Sequence, residues 1–524
     1  MNHLHAAPLL GQLLQRSYER FADRTAFAWD GGSISYRGVR DWCARAQAVL
    51  NAAGCGRGTR VAFLAANRWD AWAANSSAMA AGMSVSMLHP LASFDDHLFQ
   101  LRDFGAQVLM VDAKSFGDRA AALVAKHEGL KLVYTFGPSS FGTDLHAAVE
   151  RIGEATLQCV AEPEDLAVVL YTGGTTGRSK GAARSQAGYC SMFLDILASF
   201  QLPDCPHFLA AAPITHVAGS FVPPTLIRGG TVRLMDSFSP QRWLDLVSTD
   251  RCNFSLLVPT MIYMLLDQPG LGRADLSSLH TLLYGASPMS PTRLLEGLTR
   301  MGPVFAQLYA QTEGYPITFL GRGDHDPKQP DLFSSCGRPT AMTSVALLDE
   351  HDQPVKSGDV GELCVRGPGV MQGYLNMPEV TAETLRNGWL HTGDLARADE
   401  HGYLYIVDRI KDMIISGGFN VYPRDVEDVI SAHPAVAMVA VIGVPDPQWG
   451  ECVTAVVQCR PDATTADRTA LGEELKMRVR DAKGAVCTPK NVVFTDQIPR
   501  TAVGKIDKKA LREPYWTGQA RQIA

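Results

Sequence analysis

Tyr171-Thr172-Gly173-Gly174-Thr175-Thr176-Gly177-Arg178-Ser179-Lys180-Gly181 follows the apolar run Leu166-Ala167-Val168-Val169-Leu170, and the rest of the chain is read outward from it. A buried strand entering a loop of four glycines and three threonines lets the backbone approach an anion closely. Amide and hydroxyl donors then turn inward, and Arg178 and Lys180 add positive charge. The loop reads as a phosphate loop or, taken alone, as a Gly/Thr-rich surface turn. It is not a Walker A loop, which needs Gly immediately before Lys and Ser or Thr immediately after it. Here Ser179 precedes Lys180 and Gly181 follows.

Upstream of the loop, Leu9, Leu10, Leu13, Leu14, Tyr18 and Phe21 fall at helical spacing, and Thr25 to Trp29 reads as a strand. A Gly31-Gly32 turn into Ser33-Ile34-Ser35-Tyr36 predicts a hairpin. A second amphipathic helix is expected from Asp41 to Ala53 and a buried strand up to Leu64. Helix and strand then alternate through Trp69 to Ala81, Ser84 to Met87, the helix before Gly105, and Gln107 to Val111. Such alternation predicts a mainly parallel sheet covered by helices. Downstream, Ser185 to Leu202 reads as a helix, with strands at Phe208 to Pro213, Phe254 to Thr260, Thr281 to Met289 and Tyr403 to Arg409. Beyond Pro423 the pattern alternates helix and strand again: Pro423 to Ala432, Val436 to Ile442, Val453 to Gln458, Leu471 to Asp481, and Asn491 to Thr495.

At 524 residues the chain is too long for one ordinary core, so at least two domains are expected. A hydrophobic fraction of 46% with 19% charged residues excludes wholesale disorder. Lys+Arg 48 against Asp+Glu 54 gives a net charge of -6, and no long basic run marks a nucleic-acid footprint. The eleven cysteines include no Cys-x-x-Cys pair, which argues against a zinc site or a disulfide framework and points to a reducing, cytoplasmic setting. No window has the ~18 consecutive apolar residues of a spanning helix, and the start of the chain does not read as a signal peptide.

The loop resembles the signature of the adenylate-forming enzymes: acyl-CoA synthetases, carrier-loading adenylation domains and luciferases. Their usual Tyr-Thr-Ser-Gly-Thr-Thr-Gly-x-Pro-Lys-Gly is altered here at Gly173 and Ser179. Further motifs follow in family order. Pro213-Ile214-Thr215-His216 with Gly219 resembles the segment whose histidine lies at the mouth of the carboxylate pocket. Gly285-Ala286-Ser287-Pro288 resembles the element that packs its small residues against adenine. Tyr309-Ala310-Gln311-Thr312-Glu313 resembles Tyr-Gly-x-Thr-Glu, with Ala310 for the usual glycine. In that motif tyrosine stacks on adenine, threonine donates to phosphate, and glutamate gives a hard oxygen to magnesium. Trp389-Leu390-His391-Thr392-Gly393-Asp394 resembles the motif whose aspartate anchors ribose through both hydroxyls. Arg409 precedes the pivot, which the resemblance puts at Lys411. Ser416-Gly417-Gly418, within Met413 to Pro423, resembles the segment lining the pantetheine tunnel, and Gly361 to Gly367 with Gly373-Tyr374 resembles strands and turns of the same family. Pro499-Arg500-Thr501-Ala502-Val503-Gly504-Lys505 resembles the closing motif whose lysine enters the site during adenylation.

The resemblance implies an α/β fold: a large N-terminal part, residues 1–408, of two parallel sheets with helices plus a small β-barrel, then a mobile α+β cap, residues 409–524. It implies a carboxylate-CoA ligase using ATP, Mg2+ and coenzyme A. The catalytic set is Lys505, Thr312, Glu313 and His216, with Glu313 on the metal. Nucleotide contacts fall to Thr172, Gly173, Gly174, Thr175, Thr176, Gly177, Lys180, Gly285, Ala286, Ser287, Tyr309, Ala310, Thr312, Asp394 and Arg409. By position the acid meets His216, Phe221, Tyr284, Ala310, Tyr315 and Pro316. With no acidic residue there to receive an amine, an amino acid is disfavoured, and Ala310 narrows the expectation to a compact aryl, alicyclic, branched or short to medium-chain acid. Loading of a carrier protein, a luciferase-like oxygenase and a non-catalytic nucleotide binder are the other readings, and a homodimer is compatible with all of them. A non-catalytic relative would be expected to lack Lys505 or Glu313, and both are present.

Overall fold

A run such as Val108-Leu109-Met110-Val111, apolar at every position, is stable as a strand only where both faces are covered. The computed structural model, which describes residues 7–172, 179–460, 463, 468–501 and 505–516, buries all four of these residues. Among the described residues the strands form four sheets.

The phosphate-loop strand Leu166–Tyr171 belongs to an eight-stranded sheet, beside Ser84–Met87 on one side and Gly181–Ser185 on the other. Pairing is parallel from Leu166–Tyr171 out to Thr143–Asp144 and antiparallel on the side of Gly181–Ser185 and Gly373–Tyr374. A nine-stranded sheet carries the later motifs. Its interior strands His207–Ala210, Phe254–Leu257, Thr281–Gly285 and Phe305–Tyr309 are parallel, and antiparallel strands close both edges. One apolar core lies between the two sheets. Val61, Phe63, Val85 and Val168 from one sheet and Phe208, Val232, Phe254 and Leu283 from the other line it, with residues of the helices Tyr36–Ala52 and Gln186–Ser199. The outer face of the nine-stranded sheet is covered by Trp243, Leu265 and Leu294 from three further helices, and that of the eight-stranded sheet by Leu101, Phe104 and Leu123.

Local chemistry moves several boundaries from their expected places. The second helix starts at Tyr36, not Asp41, because the Ser35 side chain accepts from Gly38 N at 3.1 Å and caps it. Pro259 ends the strand Phe254–Leu257 early, as the first residue of the helix Pro259–Leu266. The strand at Thr281 stops at Gly285. The small β element is a four-stranded antiparallel sheet, Ser344–Leu348, Gly361–Arg366, Leu390–Ala398 and Leu404–Arg409. After it comes a five-stranded sheet with its own core of Ile414, Val441, Val453 and Leu475. In place of simple alternation, Val436–Asp446 and Gly450–Cys459 form one long hairpin, registered Asp446 against Gly450.

The two large sheets are pinned together by one amide. Asn67, between Arg60–Leu64 and Trp69–Ala80, points its Nδ2 at the carbonyls of Ala210, Ala212 and Met235 at 3.3, 3.1 and 3.0 Å, and its Oδ1 accepts from Ile214 N at 2.8 Å. The turn that presents His216 hangs from this side chain. Asn67→Ala removes these four bonds, although Ala210 O still accepts from Met235 N, and should cost about 2–4 kcal/mol, seen as a lower thermal midpoint in scanning calorimetry. An unchanged midpoint would refute the clamp.

Candidate active site

The C-terminal ends of the central strands converge where the two large sheets meet the four-stranded sheet. Of the expected phosphate-loop residues, Gly173, Gly174, Thr175, Thr176 and Gly177 lie outside the described residues, and Thr172 and Lys180 close the neck of the loop. Thr172 N donates to Lys180 O at 2.9 Å, and Lys180 N donates to Thr172 Oγ1 at 3.3 Å. Gly181 is required sterically, since a Cβ there would sit 2.7 Å from Val169 and 3.1 Å from the Tyr171 ring.

Asp394 is the centre of the site. It is 3% exposed. Its Oδ2 accepts from Tyr309 OH at 2.6 Å and from Gln311 Nε2 at 2.7 Å, while Arg409 Nε lies 3.0 Å from Oδ1. The antiparallel register places Asp394 directly opposite Arg409. Burial and the adjacent carboxylate push the Tyr309 phenol well above its ordinary value, so it acts as a donor and not as an anion. Asp394 in turn holds the Arg409 guanidinium more firmly protonated. A carboxylate offers about four acceptor positions, so a ribose held through both hydroxyls would displace one of these donors. Gln311 was not singled out from sequence; its amide also donates to Thr392 O at 3.0 Å and ties the two motifs together.

Lys505, from the far end of the chain, meets this group. Burial and the nearby Arg409 draw its ammonium down to about 8, while Asp394 and Glu313 pull the other way. Glu313 accepts from Tyr374 OH at 2.7 Å. Its carboxylate is a hard oxygen donor and suits a hard cation such as magnesium. Thr312 is fixed through its carbonyl, which accepts from Arg184 Nη2 at 2.6 Å. Arg184 is 1% exposed and also donates to Gly369 O at 3.3 Å. Burial holds it down to about 10 while Glu313 opposes the shift. The one sequence signal for it is an arginine inside the otherwise small, apolar strand Gly181–Ser185.

The element expected at adenine leaves its strand abruptly. A Cβ at Gly285 would lie 2.6 Å from Leu308 O, so the neighbouring strand alone demands glycine there. Ala286 takes a left-handed φ of 67°, a strained conformation for a residue with a side chain, and Ser287 follows. Among the residues expected at the acid, His216 precedes the short helix Val217–Phe221, with Thr215 Oγ1 3.0 Å from its Nδ1. Its ring meets His89 edge-on at 4.1 Å. Burial and His89 bring His216 down to about 3, and burial with His97 brings His89 to about 4. His216 therefore offers a neutral imidazole. Phe221, Ala310 and Tyr315 share its side of the nine-stranded sheet.

Tyr284 does not join them. Alternation along Thr281–Gly285 sends Leu283 to the inter-sheet core and Tyr284 to the opposite face. There its hydroxyl bonds Gln307 Oε1 at 3.1 Å and His325 Nε2 at 3.0 Å. It is a core residue, and its removal from the acid pocket corrects the expectation from sequence.

Ser416, Gly417 and Gly418 form the turn between Ile414–Ser416 and Phe419–Val421. Gly417 N donates to Trp449 O at 2.8 Å, so this turn packs on Trp449 while Lys505 is the residue of the five-stranded-sheet region brought to Asp394. Lys411 lies in the single turn Ile410–Asp412, beside the Asp412–Arg512 ion pair at 2.8 Å. Folding also brings His391 beside Glu362 and Cys364, which precede it by 29 and 27 positions. Glu362 Oε1 accepts from Gly393 N at 2.9 Å and Oε2 lies 2.7 Å from His391 Nδ1, so this carboxylate braces the turn that carries Asp394.

The sequence profile of the AMP-binding enzymes matches residues 14–375, and that of the AMP-binding enzyme C-terminal domain matches residues 425–505. A medium/long-chain-fatty-acid–CoA ligase, FadD8, of Mycobacterium tuberculosis is 44% identical over 485 residues, covering 91% of this chain and 84% of that one. A feruloyl-CoA synthase of Amycolatopsis sp is 37% identical over 500 residues, covering 94% of this chain and 96% of that one. The solved structure of the amide bond synthetase McbA from Marinactinospora thermotolerans superposes with a TM-score of 0.89 at 33% identity, covering 97% of this chain and 100% of that chain.

The site makes a prediction that needs no substrate. After reductive methylation with labelled formaldehyde, one dimethyl-lysine resonance should titrate near pH 8 and be absent from Lys505→Arg. Because Asp394 favours the ammonium, Asp394→Asn should move that midpoint lower still. A midpoint above 10 in the wild type, near the usual lysine value of about 10.4, would contradict the geometry.

Proposed function

The chain belongs to the family of AMP-binding enzymes, and from that premise we propose how its site works as an AMP-forming acid-thiol ligase that joins a carboxylic acid to coenzyme A with ATP. The observation that carries the proposal is Lys505 in the field of Asp394, Glu313 and Arg409: a cation from the end of the chain among groups from the four-stranded sheet and the phosphate side. In the first half-reaction a carboxylate oxygen attacks the α-phosphorus of ATP, the bond to the β-phosphate oxygen breaks, and pyrophosphate leaves. In the second, a CoA thiolate attacks the acyl carbonyl and AMP leaves. Neither step needs a covalent enzyme intermediate, so positioning and electrostatics supply the catalysis.

Lys505 and Thr312 take the charge at the α-phosphate, and neutral His216 faces the acid. Thr172, the glycine-threonine loop and Lys180 cradle the other phosphates. Gly285, Ala286, Ser287 and Tyr309 hold adenine, and Asp394 with Arg409 holds ribose. Magnesium, held by Glu313, would neutralise phosphate charge. Residues 409–524 act as a cap that turns at Lys411 and presents Ser416, Gly417 and Gly418 to pantetheine in the second half-reaction. The CoA ligases among the relatives favour free CoA over a carrier protein as acceptor. Among the described residues no helix is long and apolar enough to cross a membrane, and the free cysteines support a cytoplasmic setting.

Two variants should split the reaction in opposite directions. Lys505→Ala should lose pyrophosphate release by orders of magnitude yet still convert supplied acyl-adenylate and CoA to thioester. Lys411→Pro, with φ locked and an amide donor lost, should keep adenylation and lose thioester formation. Equal loss of both half-reactions in either variant would defeat the two-orientation scheme.

For the acid, Ala310 supports a compact substrate, because its methyl occupies space that glycine leaves open. The relative named a medium/long-chain-fatty-acid–CoA ligase supports the competing reading, a longer chain. One methylene of pocket fit is worth roughly 1–3 kcal/mol of discrimination. In a chain-length and aryl-acid series followed by pyrophosphate release, Ala310→Gly should shift relative kcat/KM toward longer or bulkier acids. A wild-type preference for long chains, or an unchanged profile, would favour the fatty-acid reading.

A further inference from the structure

We propose that Tyr374 is a positioning residue that couples Lys180 of the phosphate loop to Glu313, through opposite features of one side chain. Its phenolic OH donates to Glu313 Oε1 at 2.7 Å. Its ring face carries the Lys180 ammonium, with Nζ 4.4 Å from the ring centroid. The residues bridged are 133 positions apart in sequence, and Tyr374 lies beyond both. A cation on a π face and an anion on the hydroxyl use the two poles of a phenol together. The coupling rests on the reading that Lys180 serves phosphate and Glu313 serves magnesium.

Tyr374 is built to stay in place. The short strand Gly373–Tyr374 pairs antiparallel with Gly181–Ser185, Tyr374 opposite Ala182, so the ring stands beside the residue two positions after Lys180. Its backbone N donates to Thr381 Oγ1 at 2.9 Å, and that hydroxyl donates to Met377 O at 2.7 Å, which ties the strand to the helix Pro378–Thr384. Gly373, at φ 153°, passes so near Thr381 that a Cβ would sit 2.6 Å from its methyl. The ring is 7% exposed. Met371 N donates to Glu313 O at 2.8 Å, so the strand's approach also fixes the Glu313 backbone. An apolar ring would satisfy the packing; the hydroxyl aimed at a carboxylate is what packing does not require.

The test measures binding of ATP to the full-length protein by calorimetry, with no carboxylic acid present, in EDTA and across a magnesium series. Tyr374→Phe keeps the ring and loses the tether. It should raise the magnesium concentration for half-maximal enhancement of ATP binding roughly tenfold, the effect of losing a hydrogen bond to a charged group, and leave ATP affinity in EDTA unchanged. Tyr374→Leu removes the platform as well and should weaken ATP binding in EDTA too. In a Glu313→Gln background, Tyr374→Phe should produce no further magnesium shift. An unaltered magnesium midpoint in Tyr374→Phe, beside a shifted one in Glu313→Gln, overturns the coupling alone. A Glu313→Gln protein with an unaltered midpoint overturns the reading of Glu313 on which the coupling rests. An equal shift by Tyr374→Phe with and without Glu313 also overturns the coupling, since the hydroxyl would then act elsewhere.

Discussion

One buried carboxylate organises the site. A charge as deeply placed as Asp394 is tolerated only when it is paired and hydrogen-bonded, since an uncompensated buried ion costs several kcal/mol. Its compensation comes from separate parts of the chain: Tyr309 and Gln311 from the end of the nine-stranded sheet, and Arg409 from the neighbouring strand of the four-stranded sheet. The requirement therefore does structural work before it does chemistry. It holds two sheets at a fixed distance, and because Arg409 is the last residue of its strand, it also fixes where the chain leaves the four-stranded sheet. Lys505 enters a field that is already set, which is why its proton affinity is depressed by burial and Arg409 yet defended by Asp394 and Glu313.

The flanks of Lys411 divide along the same line. Asp408 is raised to about 6, chiefly by burial, and its carboxylate accepts from Arg409 N at 2.7 Å and from Arg424 N at 3.0 Å. Asp412 instead pairs with Arg512. The turn proposed at Lys411 would carry the second pair along intact, because both partners lie beyond that residue, and would part the Asp408 carboxylate from Arg424 N and Lys505 from Asp394.

What could be read from sequence was whatever repeats along the chain or depends on a residue's own chemistry. Runs such as Leu166 to Leu170 and Val108 to Val111 announced buried parallel strands, and the resemblance of Tyr309 to Glu313 to a family motif implied a nucleotide site. What could not be read depends on partners distant in sequence. Periodicity says that neighbours on a strand face opposite ways, but not which way is inward, so Tyr284 was placed in the acid pocket although it packs with His325 on the other face. Arg184 looked like an ordinary basic residue because its acceptors, Thr312 O and Gly369 O, are 128 and 185 positions away. Glu362 and His391 looked unrelated until antiparallel pairing set their strands side by side. Helix starts failed for a smaller reason: at Ser35 a cap outweighs the point where amphipathic spacing becomes visible.

The pairing of the first strand has a consequence for how the polypeptide is made. Thr25–Trp29 lies parallel to Thr231–Leu234, with Phe27 opposite Val232, and Tyr36 OH donates to Gly230 O at 2.6 Å. Synthesis runs from the N-terminus, so the opening hairpin emerges from the ribosome with one edge open, and that edge waits for some two hundred further residues before its permanent neighbour exists. An isolated two-stranded hairpin is marginal in water, and an unpaired strand edge invites association with other chains. The region from Ile414 to Phe494 contains all the strands of its own sheet and waits for nothing upstream. The exposed interval in the life of this protein thus belongs to its beginning, and shielding of the nascent chain matters most over its first half.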